Sequence, residues 1–319
     1  MKVSIIMCSY NSAEYIGKAI DCILAQTYTD WELIISDDKS TDNSAEIIQP
    51  YLSDPRIRLI IQEKNLGYVK NKNFALSKGT APLLTQLDSD DMCPPDRLEK
   101  QVNVFLNNPN IKVCGSDFAP IDTKDNFLSN VHEFNEYRDK YTEDFLIEGP
   151  QLKYPFWFPG LMFRKEILDE IGYFSEYFNG IYGDDHYWAF KISQKYPIYF
   201  LKDVLYYYRI NPGSITNVLD DPRKLIAQDL IAELHRLIIE TGTDWLEQGK
   251  PEEGRAFEEA LFKNKPLMAQ RYRMWAAKAI DKKNWVQAKD LLKKHFSCSK
   301  TDVSGYRTLL YYLRSRYLS

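Results

Sequence analysis

Val3-Ser4-Ile5-Ile6-Met7-Cys8-Ser9-Tyr10-Asn11 changes character once, between Cys8 and Ser9. Up to Cys8 the run is apolar apart from Ser4, as a strand covered on both faces should be. Ser9, Tyr10 and Asn11 are polar and turn-forming. Ile16, Ile20, Ile23 and Leu24 follow at helical spacing, with Asn11 or Ser12 as the expected cap. A doubly covered strand that feeds a helix is the first half of a βαβ unit.

The chain repeats that unit. Trp31 to Ser36, Ile57 to Ile61 and Leu83 to Leu87 read as three further strands. Between them, Ser40 or Thr41 can cap a helix carrying Ile47, Ile48 and Leu52, and residues 68–78 form a helix closed by Gly79. Pro94-Pro95 opens a helix with Leu98, Val102, Phe105 and Leu106 on one face. Repeated strand–helix order implies right-handed crossovers and a parallel sheet between helices. Ligands of such sheets lie at the carboxyl ends of the strands. The polar groups collect there: Ser9-Tyr10-Asn11, Asp37-Asp38, Asn65 and Asp88-Ser89-Asp90-Asp91. Farther along, residues 120–155 read as a mobile loop, 156–164 as a strand and 165–171 as a short helix. Gly183-Asp184-Asp185 opens another helix, Ile198 to Leu201 and Val204 to Tyr208 read as two short strands, and the pattern is helical from about residue 220.

A chain of 319 residues suggests two domains, and 44% hydrophobic with 27% charged residues is an ordinary globular balance. A net charge of -4 removes the electrostatic basis for binding nucleic acid. The opening apolar run is too short for a signal-peptide core or a membrane span. Cys8, Cys22, Cys93, Cys114 and Cys298 are odd in number and lack metal spacing. They read as reduced thiols of a cytoplasmic protein.

The acidic run after Leu87 carries the sharpest chemical signal. Acidic side chains alone would repel a diphosphate, but a divalent cation between them reverses the interaction. Magnesium and manganese take oxygen ligands from one or two carboxylates and complete their shell with phosphate oxygens. Asp88 and Asp90 can aim two carboxylates at one point. The same tetrapeptide serves equally as a solvated loop capping the next helix. Asp38 ends the second strand, where its carboxylate could accept from a base N–H; turn chemistry in Asp-Asp-Lys-Ser-Thr-Asp explains it as well. Lys72 could neutralise a phosphate or be an ordinary solvated lysine. Asp184 and Asp185, at a helix start, could supply a base for an acceptor hydroxyl or complement the helix dipole. His186 reads as a packing or hydrogen-bonding residue.

Order and spacing say more than any one motif. Val3-Ser4-Ile5-Ile6-Met7-Cys8-Ser9-Tyr10-Asn11, Gln26-Thr27-Tyr28, Trp31-Glu32-Leu33-Ile34-Ile35-Ser36-Asp37-Asp38-Lys39-Ser40-Thr41-Asp42, Asn65-Leu66-Gly67 and Leu87-Asp88-Ser89-Asp90-Asp91 together strongly resemble the family 2 inverting glycosyltransferases. The match is close over residues 1–118 and looser to about 216. The resemblance implies the A-type glycosyltransferase fold: Rossmann-like α/β, with a mostly parallel central sheet flanked by helices, here followed by a C-terminal all-helical extension. It implies a nucleotide-sugar-binding catalytic domain over 1–218, with a nucleotide half at 1–118 and an acceptor half at 119–218, and a helical region at 219–319. Ser9, Tyr10 and Asn11 would line the nucleotide pocket and Asp38 would accept from a uracil N–H. Lys72 stands where the family commonly has an arginine near the diphosphate. Asp88 and Ser89 would face the nucleotide, and Asp88 and Asp90 would ligate Mn2+ or Mg2+. Asp185 matches the catalytic base, and Asp184 replaces the usual glutamate beside it. In Tyr208-Arg209-Ile210-Asn211, Asn211 stands where a histidine is common.

The implied reaction is a direct displacement, with transfer from a UDP-sugar to a hydroxyl of a glycan or lipid-linked saccharide in bacterial surface-polysaccharide synthesis. A dinucleotide oxidoreductase is excluded because no glycine fingerprint follows the first strand. A nucleotidyltransferase and a non-catalytic nucleotide- or sugar-binding module are the alternatives. The C-terminal region is locally basic, with Arg271, Arg273, Lys278, Lys282, Lys283, Lys289, Lys293 and Lys294 around Trp275 and Trp285. A solvated helical face is the first reading. Of the partner roles left, self-association through these helices is preferred over peripheral contact with anionic lipid at the inner membrane face.

Overall fold

The computed structural model describes residues 1–128, 143–151, 154, 156, 158–211 and 218–317. Much of the expected mobile loop at 120–155 lies outside them. The chain divides into two compact units, Met1–Gly180 with Asp184–Asn211, and Ile181–Gly183 with Pro212–Ser319.

The first unit is built on one sheet. Its strands are β1 (Val3–Ser9), β2 (Trp31–Asp37), β3 (Ile57–Ile61), β4 (Leu83–Gln86), β5 (Val113–Ile121), β6 (Phe145–Ile147), β7 (Met162–Arg164) and β8 (Ile198–Arg209). They lie in the order β3-β2-β1-β4-β7-β5-β8-β6. β1 pairs in parallel with both β2 and β4, and every residue of β1 is buried. That double cover is why its sequence is apolar without alternation. The helices of this unit are α1 (Ile16–Leu24), α2 (Ser44–Ile48), α3 (Tyr68–Ser77), α4 (Arg97–Asn107), α5 (Ile167–Ile171) and α6 (Asp184–Ser193). One apolar cluster joins β1, α1, β2 and α4 through Ile5, Ile20, Leu33 and Phe105.

The sheet is mixed where alternation alone predicts it parallel throughout. β7 runs antiparallel to β4 and β5, and β6 antiparallel to β8. β7 has three residues and follows a 3-10 turn at Phe158–Gly160. The expected strand at 156–164 shrinks accordingly. The two short strands expected at 198–208 are one strand, β8, which stays paired with β5 through an irregularity at Ser116–Phe118. The expected half-boundary at 118–119 therefore falls inside β5. Asn11 and Ser12 do not cap α1, which begins at Ile16. The Asn11 side chain instead accepts from the amides of Thr41 (2.8 Å) and Asp42 (3.4 Å). It thereby ties the turn after β1 to the turn after β2.

The second unit is helical: α7 (Ala227–Thr241), α8 (Pro251–Lys263), α9 (Lys265–Asp281), α10 (Trp285–Cys298) and α11 (Val303–Tyr317). It has its own core, with Met268, Ala276, Ile280, Leu291 and Leu292 at its centre. Among the described residues no helix is long and apolar enough to cross a membrane. All five cysteines are free thiols.

Candidate active site

The parallel register sets Ser9 opposite Asp37, so β1 and β2 end at one edge. Asp38 follows at once and is buried. Its two carboxylate oxygens accept from the amides of Leu66 (2.7 Å) and Gly67 (2.9 Å). Asp38 thus anchors the loop that opens α3, and each oxygen keeps a further lone pair for a base N–H. Gly67 has φ +85°, and a Cβ there would meet the Asn179 side chain at 2.6 Å. Asn179 in turn accepts from the Val69 amide and donates to the Leu66 carbonyl. The Ser9 hydroxyl is buried and has no hydrogen-bond partner among the described residues, so it is available to a bound group. Tyr10 is half exposed.

The acidic turn after β4 is held from three sides. The Asp88 carboxylate accepts from Gln86 (2.5 Å) and, at 3.4 Å, from the Tyr68 hydroxyl. Arg97, fully buried in α4, donates to the Gln86 carbonyl and the Thr85 hydroxyl and so fixes the end of the strand. From β8, the Tyr206 hydroxyl accepts from the Asp88 amide and donates to Asp91, while the Arg209 amide donates to Asp91. The Arg209 guanidinium donates to the Asp90 carbonyl. Ser89 and Ser12 share a hydrogen bond of 2.7 Å. Asp91 is consequently a buried fastening, whereas the carboxylates of Asp88 and Asp90 remain partly accessible.

Electrostatics set these acids apart. Burial, and then the Asp90 charge, push the Asp88 carboxyl up to about 7. Burial also raises Asp90, although the Asn211 side chain hydrogen-bonds to it and Arg209 lies near. Asn211, in the position where a histidine was expected, therefore still reaches the candidate metal ligand. Burial thus raises both carboxyls, and repulsion from Asp90 adds to the shift at Asp88. Two oxygen ligands of this kind suit magnesium or manganese, which take one or two carboxylates and fill the remaining positions with water and phosphate. Among the described residues, no group of three or more His, Cys, Asp or Glu side chains forms a preassembled metal cage.

The start of α6 supplies the second pair of acids. The Asp184 carboxylate is buried and paired with the Lys72 ammonium, which also lies 3.7 Å from the centre of the Phe174 ring and 4.6 Å from that of Tyr68. Burial raises the Asp184 carboxyl, and the Lys72 charge opposes the shift. Asp185 is only partly buried. Its Oδ1 accepts from the His186 amide. Asp185, Lys72, Gln86, Tyr68 and Phe158 line one small cavity, and the Asp185 charge contributes to the elevation of Asp88. The His186 ring packs on Phe158 at 4.3 Å, as a packing residue should.

The structure therefore brings together Ser9, Asp38, Lys72, Asp88, Ser89, Asp90, Asp184 and Asp185, and turns the Asn11 side chain to a neighbouring loop. Sequence reasoning missed Tyr68, Gln86, Arg97, Asn179, Tyr206 and Arg209, which hold the site but touch it from elements far apart in the chain. Only the segment at 208–211 gave a signal for any of them.

The family model described as glycosyl transferase family 2 matches residues 4–172. An uncharacterized glycosyltransferase of a Nostoc strain is 32% identical over 54% of this chain and 53% of its own length. The Escherichia coli UDP-Glc:alpha-D-GlcNAc-diphosphoundecaprenol beta-1,3-glucosyltransferase WfgD is 40% identical over 33% of this chain and 42% of its own. A putative teichuronic acid biosynthesis glycosyltransferase of Bacillus subtilis, TuaG, is 39% identical over 33% and 42%. The chain thus spans about half or less of the length of these curated relatives. Among solved structures, residues 1–349 of S. aureus TarS in complex with UDP-GlcNAc align with a TM-score of 0.58 at 18% identity, covering 96% of this chain and 92% of that one. That likeness is one of fold.

Proposed function

Because the chain belongs to glycosyl transferase family 2, we propose that it is an inverting enzyme. It transfers a sugar from a UDP-sugar to a hydroxyl of a glycan or lipid-linked saccharide in surface-polysaccharide synthesis. One relative named for a diphosphoundecaprenol-linked acceptor and another named for teichuronic acid biosynthesis support the acceptor class. The observation that carries the reading is the cavity shared by Lys72, Gln86 and Asp185 beside the acidic turn.

Asp88 and Asp90 would hold magnesium or manganese, which supplies positive charge against the diphosphate as the sugar leaves. The remaining work falls to side chains. The buried Ser9 hydroxyl and Asp38 face the nucleotide. Lys72, fixed by Asp184, presents a cation whose remaining N–H groups suit the leaving oxygens. Oδ1 of Asp185 is already engaged by the His186 amide, which leaves Oδ2 to take the acceptor proton. The acceptor oxygen then bonds to the anomeric carbon as the carbon–diphosphate bond breaks, and the electron pair departs on the diphosphate.

Asp185→Asn should lower kcat by about a hundredfold or more while UDP affinity stays the same. Unchanged turnover would sink the base assignment, and a non-catalytic binding module would tolerate the change. Asp90→Ala should weaken UDP binding in the presence of manganese but not in its absence. An Asp90→Ala variant that binds UDP in manganese as tightly as the unaltered chain, by calorimetry, would remove Asp90 from the metal site.

A further inference from the structure

The last helix, α11, buries one face and leaves the opposite one bare. Gly305, Thr308 and Tyr312 face the helical core, with Tyr312 meeting the Trp285 ring edge-on. Val303, Tyr306, Leu310, Leu313 and Tyr317 lie between 42 and 66% exposed. At 100° per residue they fall within an arc of about 80°, centred well away from the buried face. Five large apolar side chains along one exposed stripe are more than the scattered surface leucines of an ordinary helix.

The charges on the same helix say what would cover it. Arg307 and Arg314 are exposed along one flank of the stripe, Arg316 is tied to the Tyr312 hydroxyl on the other, and the sequence Val303–Tyr317 contains no Asp or Glu. A second copy of α11 would bring arginines towards arginines along the seam, where paired helices normally set opposite charges. An anionic lipid surface takes both features at once. The aliphatic residues enter the headgroup boundary, the tyrosines lie at the polar–apolar border, and the arginines reach the phosphates. The basic residues on the preceding helices are a poorer match. Arg271 is tied to Asp229, and Lys294 to Asp290.

We infer that the outer face of α11 is a docking surface for an anionic lipid bilayer, with the helix lying in the plane of the interface. The inference is independent of the proposed reaction, because neither stripe nor arginines belong to the active site.

The test is co-sedimentation of the full chain with vesicles of phosphatidylcholine alone and of phosphatidylcholine mixed equally with phosphatidylglycerol. Arg307 and Arg314 near an anionic surface should favour the mixed vesicles by roughly tenfold or more, and salt should reduce the difference. Leu310→Ser with Leu313→Ser, and separately Arg307→Glu with Arg314→Glu, should each lower that partition by about tenfold with unchanged thermal unfolding and UDP binding. These side chains are exposed, so neither pair should disturb the fold. Equal partition into both vesicles, no partition at all, or full binding by either variant would overturn the inference. So would a dimer in sedimentation equilibrium that the leucine variant dissolves, since the stripe would then serve self-association.

Discussion

Lys72 and Asp184 form a buried ion pair at the edge of the active-site cavity, and removing one partner differs from removing both. Lys72→Met leaves the Asp184 carboxylate buried with no counter-charge, which should cost about 3–5 kcal/mol of stability. Adding Asp184→Leu should recover much of that loss, because two apolar side chains leave no buried charge behind. Urea midpoints of the unaltered chain and the two variants check this, and a single-variant loss under about 1 kcal/mol would mean that the pair is not insulated from water. Both forms should lack transfer activity, which separates stability from function. This pairing was not legible in the sequence. The two residues stand 112 positions apart, and each reads alone as a solvated charge. What was legible at this scale were the acids themselves, because Asp38, Asp88 and Asp90 follow strand patterns and Asp185 follows in order at a helix start. Which acid is a fastening and which faces the cavity depends on distant donors such as Tyr206 and Arg209, and composition does not encode those.

Among the elements, Glu32 joins β1, β2 and the turn before β4 at the strand ends remote from the site. It sits on β2 opposite Ser4 of β1. Its carboxylate accepts from the Ser4 hydroxyl (2.6 Å) and from the Thr80 amide (2.8 Å) and hydroxyl (2.7 Å) just before β4. Burial alone would raise its pKa, but these hydrogen bonds, with Lys2 nearby, outweigh burial and bring it down to about 2. A carboxyl depressed in the folded state adds stability above the unfolded value of about 4.3. That contribution is lost as pH falls through the folded value. Glu32 should therefore contribute roughly 2–3 kcal/mol at neutral pH, lost mainly between pH 4.3 and 2. Glu32→Gln should lower the neutral-pH stability and flatten this acid limb, and an unchanged limb in chemical denaturation across pH would contradict the assignment. The strands themselves were plain in the sequence because both-face burial leaves an uninterrupted apolar run. Helix faces were legible at their centres and not at their margins: Leu24 and Leu106, counted on the apolar stripes of α1 and α4, are exposed. Arg97 and Gln101 of α4 are buried instead, because Arg97 donates at the end of β4 and Gln101 accepts from Arg97 and donates to the Gly160 carbonyl. β7 escaped detection as an antiparallel strand because three residues carry no periodicity and direction is set by the partners.

For the whole molecule, the change from alternating to helical pattern near residue 220 was visible as a change of period. The inclusion of Ile181–Gly183 with the helical unit was not, since it depends on contacts remote in sequence. Each unit closes its own apolar cluster, one around β1 and α1, the other around Ala276 and Leu292. Separate cores predict separate cooperative transitions. The candidate nucleotide site belongs wholly to the first unit, so a ligand bound there stabilises that unit alone. UDP with manganese at about a hundredfold over Kd should add about 2.7 kcal/mol to it. For a unit of this size that corresponds to roughly 5–10 °C in its Tm, at about 2–4 °C per kcal/mol. Scanning calorimetry should then show two transitions, with UDP and manganese moving one and leaving the other in place. A single transition that shifts as a whole would mean that the two cores unfold as one.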